Sequence, residues 1–237
     1  MATGSLTDER AAIFFPLDQG ERAKQVRVEN LLPLKLYGDL SKLIRESLPE
    51  IQGEAETSAD YFNRSRRHNA ILLEGNRGVG KSSVLVNLPL YLEKREDHLH
   101  RSVHILKPVD PTQLEEHDDL FLNVIVAAVM SDRDLQAAIR ADGIKREALH
   151  KSLHALSVAL EARHTGKTSA GIDQLRAFMG SHSLTETIHN FFQAAVQALG
   201  KQLLVLSLDD VDTTLDRAFE NLEVVRRYLS TPLVLPI

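Results

Sequence analysis

Residues Gly75 to Ser82 read G-N-R-G-V-G-K-S and closely follow the apolar run Ala70–Leu73. This is the Gly-x4-Gly-Lys-Ser pattern of a phosphate-binding P-loop, placed between a predicted strand and a predicted helix over 81–90. The glycines let successive backbone N–H groups curl around a phosphate, because no Cβ stands in the way. The helix N-terminus adds a partial positive charge at the same point. The stretch therefore predicts a nucleotide site.

Two side chains of the loop have specific predicted roles. We expect Lys81 to reach the β- and γ-phosphates and the Ser82 hydroxyl to ligate Mg²⁺. A glycine-rich structural turn is the alternative, but it has no use for the Lys-Ser pair. The residues predicted to contact the nucleotide are Gly75, Asn76, Arg77, Gly78, Val79, Gly80, Lys81, Ser82 and Ser83.

The bulk composition is that of a globular protein. A length of 237 residues allows one α/β domain with an elaboration, or two small domains. Cysteine is absent, which excludes disulfides and thiolate chemistry and fits a reducing cytoplasm. We find no signal peptide and no apolar segment long enough to span a membrane. The net charge of −5 argues against a surface that coats nucleic acid.

The remaining chain predicts an α/β fold with a parallel sheet. Three further strands are expected at Ser102–Leu106, Gln202–Leu208 and Pro232–Ile237. Helices are expected at 31–48, 59–67, 120–130, 145–162, 184–199 with Ser183 as N-cap, and 215–229. We expect an N-terminal arm with helices over 1–68 and an incomplete P-loop core over 69–237. Residues about 112–200 form a predicted helical insertion between the second and third strands.

An acidic pair follows the third predicted strand. Asp209 stands where a carboxylate can hold Mg²⁺ or one of its waters, and Asp210 where it can orient the attacking water. Asp212 is a second, less well-placed candidate for that role. The competing interpretation is that Asp209 and Asp210 only cap the helix that begins near Leu215. Together with the P-loop, the pair favours a Walker B motif. Lys81 of the P-loop and Asp210 of this motif are then the predicted catalytic residues.

At these two motifs the chain resembles the P-loop ATPases of the AAA+ and STAND group. The resemblance rests on Gly75–Ser82 and on Leu203-Leu-Val-Leu-Ser-Leu-Asp-Asp-Val-Asp212. The segment Val109–Asp119 is similar to the segment that follows the second strand in large bacterial anti-phage ATPases, including the ATPase subunit of the RADAR system. The resemblance covers about 70–237 and implies ATP and Mg²⁺ as ligands, homo-oligomers, a protein partner and antiviral defence.

The resemblance also implies a sheet of strand order 5-1-4-3-2 with nucleotide at the C-terminal ends of its strands. The sensor residue of strand four, strand five and the helical lid have no counterpart in these residues. We therefore expect the N-terminal part of a larger ATPase that is weak in isolation. Asp210 stands where many relatives carry glutamate, so slow hydrolysis is expected. Arg226 and Arg227 are either arginine fingers for a neighbouring subunit or solvated helix surface.

Other functions stay open at this stage. A non-hydrolysing switch or assembly module is the main alternative, and a nucleic-acid-linked motor is another, although aromatic residues make up only 5%. A GTPase is disfavoured because no Asn-Lys-x-Asp motif occurs. The ten histidines include a group at His98, His100 and His104, but no zinc-binding pattern accompanies them.

Overall fold

A computed structural model describes residues 25–31, 33–49, 69–76, 78–110, 120–165, 172–209, 219, 222–229 and 231–237. The side chains of residues 120, 162–165 and 172–183 lie outside this description. The predicted helix at 59–67 and most of the segment Val109–Asp119 lie outside it as well, and so do Arg77, Asp210 and Asp212.

A small parallel sheet organises the described chain. Its strands are β1 (Val103–Ile105), β2 (Leu203–Leu206) and β3 (Val234–Pro236), in the spatial order β1-β2-β3. Leu203 pairs with Val103 on one side of β2, and Leu204 pairs with Val234 on the other. All four residues of β2 are buried, as expected of a central parallel strand covered on both faces. The chain is therefore an α/β protein.

The segment Ala70–Leu73, predicted as the first strand, makes only one backbone hydrogen bond to the sheet among the described residues. The N–H of Ile71 donates to the carbonyl of Pro236 at 2.9 Å, but residues 69–76 do not form a regular strand. Pro236 has no N–H, and the N–H of Val234 donates to Thr231 instead. That edge of β3 thus offers no donor for a regular ladder. The full order 5-1-4-3-2 stays a prediction.

Helices account for most of the described residues. They are α1 (Leu34–Glu46), α2 (Lys81–Arg95), α3 (Asp97–Ser102), α4 (Leu120–Met130), α5 (Arg133–Ala141), α6 (Gly143–Thr165) and α7 (Ile172–Leu199), with a π-helical turn at Val225–Leu229. Helices α4 to α7 lie between β1 and β2 in the chain, in the region of the predicted insertion. Among the described residues, no helix has both the length and the apolar content that crossing a membrane requires.

Two helix boundaries differ from the sequence prediction. Ser183 is not an N-cap, because α7 begins at Ile172 and runs through it. The apolar spacing of Ile172, Leu175 and Phe178 continues the helical pattern upstream of the capping signal. Helix α5 was not predicted, although Asp132 caps it and accepts hydrogen bonds from the N–H groups of Asp134 and Leu135.

Each face of the sheet carries its own hydrophobic core. Helices α4 to α7 pack on the face that presents Leu204 and Leu206. Helices α1 and α2 pack on the opposite face, against Leu203, Val205 and Leu235. Adjacent residues of β2 point to opposite faces, so the alternation of the strand assigns each side chain to one core. The fold therefore has helices on both faces of a parallel sheet.

Candidate functional site

The P-loop backbone adopts a conformation that requires glycine at two positions. Gly78 has φ +84° and Gly80 has φ +96°, both in the left-handed region. A Cβ at either position would meet no atom within 4 Å, so there is room for a larger residue. Glycine is favoured at both positions because other residues would be strained in this backbone conformation. At Gly75, by contrast, a Cβ would lie 3.0 Å from Cγ2 of Val79. The open space beside Gly78 and Gly80 fits a bound phosphate.

The ammonium of Lys81 lies across the loop. Its Nζ donates to the carbonyl of Gly75 at 2.8 Å and to that of Asn76 at 3.4 Å. An ammonium has three N–H donors, so these two bonds leave one for a phosphate oxygen. The N–H of Val79 also points back to the carbonyl of Asn76, at 3.4 Å. Lys81 thus closes the same loop whose backbone would surround the phosphate.

The loop leads directly into the N-terminus of α2. Gly80 is the N-cap residue and offers no side-chain hydrogen bond to the first turn. The first turn also contains no acidic residue that would compete for its N–H groups. Ser82 and Ser83 are half-buried in this turn. An uncapped helix N-terminus after a glycine loop is an arrangement that binds anions.

Asp209 follows β2 on the face that carries α2. Backbone pairing continues past the strand, because Val109 donates to the carbonyl of Ser207 and accepts from the N–H of Asp209, both at 2.9 Å. Leu203 and Val205 contact the core that contains α2. Alternation therefore places the side chain of Asp209 on the same face. Asp209 is half-buried, so a cation on that side could reach its carboxylate.

The glycine loop, the lysine that closes it and the helix behind it define a P-loop nucleoside-triphosphatase domain. Residues 51–236 match the family model described as KAP family P-loop domain. The chain therefore belongs to this family of P-loop domains, which confirms the P-loop part of the predicted resemblance. A search of curated proteins found no significant match.

The two arginines considered as arginine fingers are already engaged. Arg226 donates through Nε and Nη2 to the carboxylate of Glu223 at 2.8 and 2.7 Å, and Arg227 donates to it at 2.8 Å. These hydrogen bonds lower the pKa of Glu223 to about 2, and those from Arg226 have the largest effect. Both guanidiniums thus belong to a charge network on their own helical turn, which agrees with the surface interpretation.

His104, one of the histidines considered as a metal ligand, lies beside two carboxylates on the sheet face opposite α2. Nε2 of His104 is 3.1 Å from Oδ1 of Asp132, and Nδ1 is 3.9 Å from Oδ2 of Asp134. One donor atom from each residue falls within 4.8 Å of the others, so the set could hold a cation. However, Asp132 already caps α5, and Lys201 interacts electrostatically with Asp134. The cap accounts for Asp132 and the side chain of Asp134 is largely exposed, so the cluster needs no metal to explain it.

The pKa of Asp132 reflects the same contacts. Burial alone would raise it, but His104 and the N–H groups of Leu135 and Asp134 together outweigh burial. The pKa of this carboxyl is therefore lowered, which keeps the cap ionised near neutral pH.

Asn87 connects the N-terminal segment to α2 through a contact that the sequence did not predict. Asn87 is 1% exposed; its Oδ1 accepts from the N–H of Val26 at 2.9 Å, and its Nδ2 donates to the carbonyl of Ser83 at 2.8 Å. The sequence signal for this contact is a polar residue, Asn87, at a position of α2 where the pattern favours an apolar one. The turn that follows the Lys-Ser pair is thereby joined to residue 26.

Proposed function

We propose that this domain binds ATP together with Mg²⁺ and hydrolyses the nucleotide slowly. The observation that supports this most directly is the loop of Gly75–Ser82, with its two left-handed glycines and with Lys81 held across it. Lys81 and the first N–H groups of α2 contact the phosphates in this proposal. The predicted metal-holding residues are Ser82 and Asp209, and the predicted water-orienting residue is Asp210.

Each residue would act by position and charge. Mg²⁺, when bound, supplies positive charge that offsets the charge of the phosphate oxygens. Lys81 stabilises the charge that develops on the γ-phosphate, and the loop N–H groups hold the β-phosphate in place. Asp210 orients the attacking water, but its shorter reach compared with glutamate slows the reaction. The remaining contacts from 75–83 fix the nucleotide relative to these groups.

Slow turnover also follows from the engagement of Arg226 and Arg227. Arginine fingers raise turnover by roughly 10³–10⁵ in related chemistry. Both guanidiniums pair with Glu223, so each would have to leave that carboxylate before it could reach a phosphate. This favours, as a second candidate, a switch or assembly module that binds nucleotide without hydrolysing it.

The biological setting in this proposal rests on sequence resemblance. A homo-oligomer, a protein partner and an anti-phage role follow from the similarity of Val109–Asp119 to bacterial defence ATPases. Most of that segment lies outside the described residues.

Phosphate release from the purified protein separates the two candidates. We expect slow, Mg²⁺-dependent release from ATP that Lys81→Ala abolishes and Asp210→Asn strongly reduces. GTP should be a poorer substrate than ATP. Tight ATP binding without phosphate release, unaffected by Asp210→Asn, would instead establish the switch. A robust rate that survives Lys81→Ala would exclude the proposed site altogether.

A further inference from the structure

A buried hydroxyl without a partner lies two residues before Asp209. Ser207 is 0% exposed, and its Oγ makes no hydrogen bond within the described structure. The other buried polar side-chain atoms without a hydrogen bond there are Nε2 of His104 and of His189. His104 faces a carboxylate, and burial lowers the pKa of His189, which favours its neutral form. Ser207 has no titratable group, and its hydroxyl has no hydrogen-bond partner among the described residues.

Such a hydroxyl is unfavourable where it stands. An unsatisfied buried polar group is destabilising because it gives up its hydrogen bonds to water, whereas an alanine of similar shape has no such penalty. Native proteins keep few groups of this kind, and each calls for an explanation. A partner that arrives only in another state of the site is one such explanation.

The strand geometry identifies the nearest candidate for that partner. The regular pairing of 205–209 with β1 and Val109 keeps the chain extended through Asp209. Ser207 and Asp209 therefore point to the same face, which is the face covered by α2. Two residues of extended chain separate their backbones by about 6.6 Å, a gap that a serine and an aspartate side chain can bridge between them.

We propose that Ser207 is a positioning residue for the magnesium site, whose hydroxyl donates to the carboxylate of Asp209 when Mg²⁺ and nucleotide are bound. The inference rests on the proposed function of Asp209. Asp209 is half-buried, so water can reach its carboxylate. Exclusion of water by the nucleotide would leave the Ser207 hydroxyl as a replacement donor. A hydrogen bond to a carboxylate is among the stronger ones and would fix which oxygen faces the metal.

The test compares ATP affinity with and without Mg²⁺. For each variant, the dissociation constant for ATP is measured by calorimetry in excess Mg²⁺ and again in EDTA. We expect Ser207→Ala to leave the EDTA value unchanged and to reduce the Mg²⁺-dependent gain in affinity by about tenfold. Ser207→Thr, which keeps the hydroxyl, should restore most of the gain.

Ser41→Ala is the matched control. Ser41 is also buried, at 1% exposure, but its hydroxyl already donates to the carbonyl of Tyr37 at 2.8 Å, away from the loop. We expect this control to retain the full Mg²⁺-dependent gain. The melting temperature of nucleotide-free Ser207→Ala should equal or exceed that of the unmodified protein, because an unsatisfied group is removed.

Three results would overturn the inference. The first is a Mg²⁺-dependent gain in Ser207→Ala equal to that of the unmodified protein. The second is an equal loss of affinity in Mg²⁺ and in EDTA with a lowered melting temperature, which would show a purely structural role. The third is an unmodified protein that binds no ATP in either condition, which would remove the proposed function itself.

Discussion

At the scale of single residues, Asn87 holds two parts of the structure together. Its amide accepts a hydrogen bond from Val26 and donates one to Ser83, and these partners lie on different elements. Pro89, two residues further, has no N–H for the carbonyl of Leu85 and so weakens the helix ladder at this point. The side chain of Asn87 adds a contact across the same stretch of α2. We infer that it stabilises the turn that presents Ser82.

Asn87→Ala should therefore destabilise the protein. The change removes both hydrogen bonds of a side chain that is 1% exposed, so we expect a loss of about 1–3 kcal/mol in the free energy of unfolding. Urea denaturation followed by circular dichroism measures this directly. Asn30→Ala, at an exposed asparagine of the same N-terminal segment, should change the free energy by less than about 0.5 kcal/mol. Equal effects of the two substitutions would contradict the assigned role.

At the scale of elements, β3 decides how the P-loop segment joins the sheet. Leu233 and Ile237 bond to β2, so alternation turns the backbone groups of Val234 and Pro236 toward the other side. There, Pro236 can only accept, and Ile71 donates to it. The segment before the P-loop is therefore attached by packing and one hydrogen bond. This leaves the loop on a less regular support than a full strand would give.

Pro236→Ala should strengthen that attachment. The new N–H faces the segment before the P-loop, and in a parallel register its acceptor is the carbonyl of Asn69, two residues before Ile71. Hydrogen exchange of residues 69–73 should become slower than in the unmodified protein. Pro33→Ala, which precedes α1, serves as the control and should leave exchange at 69–73 unchanged. Faster exchange in Pro236→Ala would show that proline supports the segment in another way.

At the scale of the whole molecule, the nucleotide site belongs to one of the two cores. Helix α1 packs with α2 through Tyr37, Leu40 and Ile44, and the ring of Tyr37 stacks on Tyr91 with centroids 5.0 Å apart. An ion pair between Arg45 and Glu96, at 2.7 Å, joins the far ends of these helices. The described part of α1 precedes the family-matched residues, which begin at 51. The KAP-type domain of this chain thus has an N-terminal helix as part of its packing.

How well the sequence predicted this structure depends on how local each signal is. The P-loop, its helix and the strand before Asp209 are contiguous patterns, and each could be recognised alone. The prediction of Ser183 as an N-cap was wrong because an N-cap signature can also occur within a longer helix. The contact between Val26 and Asn87 joins positions 61 residues apart, and no local pattern encodes it. Pro236 carried a usable signal, since proline inside a strand limits pairing on one edge.

The central claim is that Gly75–Ser82 holds the phosphates of ATP, and a binding titration tests it most directly. The dissociation constant for Mg²⁺–ATP is measured for the unmodified protein, for Lys81→Ala and for Lys42→Ala, a surface lysine paired with Glu46 on α1. We expect saturable binding that Lys42→Ala preserves and that Lys81→Ala weakens by at least about tenfold, through loss of a charge-assisted contact. Unchanged affinity in Lys81→Ala would contradict the claim.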